Sequence, residues 1–274
     1  RENRPPESSV VNDVPVAGKT QAVLSLPDGR QVALGNEKEQ DTAWMKYVEA
    51  CTIESKATTE PADIKIEVAR GGEYKIRLED GTTVWLNSES SLIYPEKFTG
   101  DKRAVRLSGE GYFEVARDEK KPFIVSVTDM EIKVLGTKFN VTAYQDEKMT
   151  TTTLISGAVE VVTPHRSVQL QPGKQAMVQE GGDDITVLEV DVELATSWTA
   201  GIFKFDKMAL TDICTRLSRW YDIDFVFEGE TGKEKFTGGT WKYVPLKDFL
   251  SKIERVTNVL FLFENNTVKV VPKK

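Results

Sequence analysis

Cysteine and histidine are nearly missing from this chain. Of its 274 residues, only Cys51, Cys214 and His165 carry a thiol or an imidazole. Positions so scattered give no zinc-ligand spacing, no C-x-x-C redox pair and no disulfide scaffold. One Cys51–Cys214 bridge stays open in an oxidising compartment. Two free thiols are favoured, because Cys214 falls on the apolar face of an expected helix. Positive charge is also short: 36 Lys and Arg face 43 Asp and Glu, a net charge of −7. A general binder of phosphate backbones needs a basic face, so no nucleic-acid partner is expected. The longest apolar run, Val259-Leu260-Phe261-Leu262-Phe263, is strand-sized and far below the ~18 residues of a membrane helix. An initiating Met is missing too, so the chain is expected to be a processed or excised piece.

A catalytic constellation is equally hard to assemble, and no catalytic residue, metal or cofactor is expected. His165 follows Pro164 in an expected loop, and no G-x-S-x-G elbow accompanies it. Among the acids, Glu110 and Glu114 are the pair to nominate for glycosidase-like work, but strand alternation reads them as wet-face residues. Trp85, Tyr112 and Phe113 could stack a sugar; in strands they are better read as packing residues. Gly109-x-Gly111 precedes no helix, so it is read as a turn between strands and not as a nucleotide loop.

What is present is a block of short alternating runs, densest from Tyr74 to Tyr144. Gly, Asp, Asn and Ser interrupt them every 8–12 residues, which predicts about a dozen strands joined by tight turns. Leu26 to Leu34 and Leu78 to Leu86 both read L-x-D-G-x-x-V-x-L. The Asp-Gly step suits a hairpin, because Gly accepts positive φ. This repeat suggests either a stacked, wrapped β architecture, the favoured reading, or plain reuse of one good turn. Residues 35–62 break the pattern and read as a loop with one helical turn at Trp44, Tyr47 and Val48.

Near Trp198 the period changes. Leu210, Ile213, Cys214, Leu217, Trp220 and Tyr221 mark one face of a helix; Pro245 opens a second with Leu246, Phe249, Leu250, Ile253 and Val256. Short strands flank both, and Asn265-Asn266 signals a closing hairpin. The expected fold is therefore mainly β followed by α+β. A mobile tether (1–20) leads into an all-β domain (21–192), solenoid or sandwich-like, then a small βαβ–βαββ domain (197–274). In the tail, Trp241 and Tyr243 share one parity of a polar strand. That aromatic face either packs between sheet and helices or meets a partner.

The residues Arg70-Gly71-Gly72-Glu73-Tyr74, Asp80 to Asn87, Tyr94-Pro95, Gly109 to Val115, Pro122-Phe123, Val134 to Val141 and Leu170 to Ala176 resemble the FecR family of bacterial cell-surface-signalling regulators, in the form common in Bacteroidetes. Trp198, Gly201, Phe203, Phe205, Leu210, Trp220-Tyr221 and Phe236-Thr237-Gly238 look like the domain that follows in that family, itself similar to the short signalling domain of secretins and TonB-dependent transporters. The resemblance implies an anti-sigma factor. A cytoplasmic segment would hold an extracytoplasmic-function sigma factor, one helix would cross the inner membrane, and a periplasmic part would sense an outer-membrane TonB-dependent transporter. This sequence would be the periplasmic sensor, its start a juxtamembrane tether. Phe203, Phe205, Trp241 and Tyr243 are the expected partner-binding residues. A carbohydrate-binding module or glycosidase of the cell envelope is the rival reading, and a structural adhesion domain a third.

Overall fold

A computed structural model describes residues 16–35, 63–128 and 130–273. Most of the expected tether, the loop over 36–62 and Cys51 lie outside the described residues.

Alternation makes the strands. In β4 (Asp63–Val68) and β5 (Gly72–Arg77), every second side chain is buried. The preceding strands are β1 (Lys19–Thr20), β2 (Ala22–Ser25) and β3 (Gln31–Leu34). Then come β6 (Thr83–Leu86), β7 (Ser90–Pro95), β8 (Arg103–Glu114), β9 (Phe123–Val127), β10 (Met130–Val134) and β11 (Lys138–Ala143). The series closes with β12 (Met149–Ser156), β13 (Val159–Val162), β14 (Ser167–Leu170), β15 (Lys174–Gln179) and β16 (Ile185–Glu189). One layer runs β3-β2-β4-β7-β8-β9-β10-β13-β14. The other runs β1-β5-β6-β8-β11-β12-β15-β16. Their inner faces share one core, in which Phe113 stacks on Phe139 at 5.0 Å.

Successive hairpins alternate between the layers. β9–β10 lies in the first, β11–β12 in the second, β13–β14 in the first and β15–β16 in the second. The path is wrapped while the section is layered, and the layers stay open at their rims. The repeated motif sits once in each layer with the same turn. Leu26 and Leu78 donate N–H to the Arg30 and Thr82 carbonyls (2.9 and 2.8 Å), and Gly29 and Gly81 have φ of 85° and 86°.

One expectation fails here. Gly109 is not a turn between strands but lies inside β8. Arg103 to Ser108 pair in the first layer; Gly109 to Glu114 pair in the second. At the changeover Gly109 has φ 90°, and a Cβ there would stand 2.4 Å from Ser90 Oγ. Only glycine lets one strand bend past Ser90 and serve both layers.

The tail follows the expected order. A short α1 (Val192–Thr196), which the sequence did not announce, precedes β17 (Ile202–Ala209), α2 (Leu210–Tyr221) and β18 (Asp224–Phe227). β19 (Lys235–Trp241), α3 (Leu246–Val256), β20 (Val259–Glu264) and β21 (Thr267–Pro272) complete it. β17 pairs with β19, and β18-β21-β20 form a second small sheet. The apolar stripes of α2 and α3, apart from exposed Val256, build a second core with Phe203, Phe205 and Phe236. Cys214 is buried there, and burial pushes its thiol pKa well up.

Candidate functional site

Phe203 and Phe205 are not available to a partner. Both are buried; they stack on each other at 5.9 Å, and Phe205 stacks on Phe249 at 6.0 Å. Their parity in β17 points them at the helices, whose apolar faces need cover, and this overturns the expectation of contact through these two rings. Trp241, the last residue of β19, and Tyr243, in the turn that follows, are 61% and 56% exposed, so the expected strand face ends at Trp241. Tyr243 is nevertheless engaged: its hydroxyl donates to Glu73 Oε1 at 2.7 Å, and its ring meets Trp220 edge-on at 5.7 Å. Partial burial and that hydrogen bond push its pKa up to about 12.

Tyr243 opens onto a junction that sequence reasoning missed. Lys242 lies between the two aromatics in sequence and points inward, with a side chain 0% exposed. Its Nζ donates to Glu73 Oε2 at 2.7 Å and sits 3.8 Å from the centre of the Trp220 ring. Burial drives its pKa down, against the pull of Glu73. Arg219, on α2, is 5% exposed and reaches Glu89 (3.2 Å), Asp146 (2.6 Å) and Glu147 (2.5 Å) of the β part. Its guanidinium lies 3.6 Å from the Tyr144 ring centre. Burial opposes the Arg219 charge, but Tyr144, Glu147 and Asp146 outweigh it and leave its pKa raised. Burial raises the pKa of Glu147 in spite of Arg219.

Further polar contacts cross the junction. Arg70 donates to the carbonyls of Ser218 and Ile223 (3.0 and 2.8 Å) and pairs with Asp224 at 3.0 Å. Trp198 Nε1 donates to Asn140 Oδ1 at 3.2 Å, and Asn140 donates to Glu110 at 3.0 Å. Charged residues usually signal a solvated surface, which is why Arg219 and Lys242 gave no sign of burial. The sequence does set Lys242 between two aromatics in a stretch that reads as alternating, but β19 ends at Trp241 and the turn after it carries Lys242 inward.

The nominated chemistry does not assemble. Glu110 accepts from Asn87, Asn140 and Thr142, whereas Glu114 pairs with Lys138 at 2.8 Å. Four residues apart on one strand, their Cα atoms stand about 13 Å apart, and each carboxylate is held by partners of its own. His165 is exposed, its Nε2 3.8 Å from Asp183 Oδ2. Trp85 and Tyr112 meet edge-to-face, and Lys75 Nζ lies 4.4 Å over the Trp85 ring, so they form no flat platform; Phe113 is core. Among the described residues no cluster of metal-ligating side chains occurs, and no helix is long and apolar enough to cross a membrane.

Comparison with known proteins follows this division of the chain. The FecR protein family matches residues 64–160, and the FecR C-terminal family matches residues 202–270. Two crystal structures of a candidate anti-sigma factor from Parabacteroides distasonis ATCC 8503, at 1.65 and 2.50 Å resolution, are similar with a TM-score of 0.71 and 30% identity. Each likeness covers 77% of this chain, and 99% and 100% of those chains. No curated protein matches the chain in sequence. Two family matches in chain order, spanning more than half of its length, show that the chain belongs to the FecR family.

Proposed function

We propose that this chain is the periplasmic sensor region of a transmembrane anti-sigma factor. It relays the state of an outer-membrane TonB-dependent transporter to an extracytoplasmic-function sigma factor. The β part (21–192) is the support, and the helix-bearing part (197–274) docks the transporter's signalling domain. The likeness to a candidate anti-sigma factor over 77% of the chain carries this reading. The docking surface is the outward face of β19 at Trp241, with Tyr243 beside it. Among the described residues β19 has a strand neighbour on one side only, so a partner strand added along its free edge would run past Trp241. A change in docking is passed toward the inner membrane, where proteolysis or rearrangement frees the sigma factor.

Binding of the purified transporter signalling domain tests this. Trp241→Ala removes a large exposed ring and should weaken binding at least tenfold, as for an aromatic anchor, with an unchanged circular dichroism spectrum. Unchanged affinity removes Trp241 from the surface. No binding by the unsubstituted chain sinks the relay.

A further inference from the structure

The expected tether does not stay free as far as residue 20. Ala17 packs against the second core, and Gly18 lies so close to Trp220 that a Cβ there would stand 2.6 Å from Cε3. Lys19 N–H donates to the Gly71 carbonyl at 2.9 Å and Gln21 N–H to the Glu73 carbonyl at 3.0 Å; the Gln21 side chain reaches Gly71 O at 3.3 Å. The chain then enters the first layer through β2.

The stretch Gly71–Glu73 is therefore gripped twice. Its Gly71 and Glu73 carbonyls accept from Lys19 and Gln21. Its Gly71 N–H donates to the Arg219 carbonyl at 2.7 Å, and the Glu73 carboxylate takes Lys242 and Tyr243. Trp220, against which Gly18 lies, is itself tied to this group, since its Nε1 donates to the Lys242 carbonyl at 2.7 Å. A two-residue strand such as β1 is too short to hold its own place. Its seat is shared: β5, itself paired with β6, supplies the hydrogen bonds, and Trp220 of α2 supplies the surface against Gly18.

We propose that Ala17–Gln21 is a releasable strap whose seating is coupled to the junction. Loosening the hold of Lys242 and Tyr243 on Glu73 frees the strap, and evicting the strap loosens the junction, because a coupling of this kind is reciprocal. The trigger rests on the docking reading above: a partner engaging Trp241 pulls on the adjoining Lys242–Tyr243. The coupling itself belongs to the chain alone.

Hydrogen exchange of the whole chain, without partner, tests it. In the double variant Lys242→Met, Tyr243→Phe, exchange at the Lys19 and Gln21 amides should rise at least tenfold, while Val141 in β11 stays protected. Unchanged exchange at Lys19 and Gln21 overturns the proposal. Should the double variant lose its helical signal, Gly18→Val decides in the other direction. It drives the strap off Trp220, and exchange should rise at Lys19, Gln21 and also at Gly71, whose N–H reports the junction. Fast exchange at Lys19 with Gly71 still protected shows two independent elements and overturns the coupling. Failure of the transporter domain to bind would remove the trigger and leave the exchange result standing.

Discussion

Arg219→Met is the substitution whose cost the structure lets us work out in parts. The methylene stem is kept, so the loss is mainly of charge. The hydrogen bond to half-buried Glu147 is worth about 2 kcal/mol. Glu89 and Asp146 are more than half exposed and recover water, so each contributes about 0.5 kcal/mol. Contact with the Tyr144 ring adds about 1 kcal/mol. Against these stands the burial of the guanidinium itself, which Met avoids, and the net loss is about 2–3 kcal/mol. Glu147→Gln behaves differently. The raised pKa of Glu147 shows that burial already opposes its charge, so the neutral amide costs at most about 1 kcal/mol. Once Arg219 is gone, Glu147 is a half-buried charge without its partner, and adding Glu147→Gln to Arg219→Met should return about 1 kcal/mol. Urea unfolding at neutral pH, followed by circular dichroism and tryptophan emission, measures all three variants. If Glu147→Gln costs as much as Arg219→Met, or the double variant shows no recovery, the junction is not held in this way.

The two copies of the repeated turn should respond unequally to loss of their Asp. Asp80 holds Arg103, which is 3% exposed, at 2.7 Å, so Asp80→Ala should cost about 3–5 kcal/mol in urea unfolding; Asp28 pairs with exposed Arg30, so Asp28→Ala should barely move the midpoint. Gly109→Ala must accept φ 90° and meet Ser90, a loss of about 3 kcal/mol that thermal unfolding will show as a large drop in Tm. Because the native pKa of Glu147 lies above its ordinary 4.5, its share of stability is complete below 4.5 and is lost as pH rises through the native value. Glu147→Gln should flatten that part of the stability-versus-pH curve, and an unchanged curve would assign the slope to other groups.

Some of this was legible in the residues. Leu210, Ile213, Cys214 and Leu217 announce α2 because a period of 3.6 has one reading. The two Asp-Gly turns announce their hairpins because the step demands a positive φ. Gly109 was misread because glycine marks a turn and a bend inside a strand alike; only the partners on either side, Ser108 in one layer and Glu110 in the other, tell them apart. Phe203 and Phe205 were misread because an aromatic stripe on a short strand does not say which side the helices will cover. Burial of Arg219 and Lys242 depends on carboxylates more than 70 residues away in sequence, beyond the reach of any local pattern.

A strand that serves two layers has no slack. Losing or gaining one residue within Arg103–Glu114 would keep the register on one side of the lesion and turn every side chain over on the other. Core residues such as Val105 and Leu107 would then face outward, or Phe113 would, but never neither. Length can change at the rims of this protein and in its loops; through β8 it is fixed to the residue.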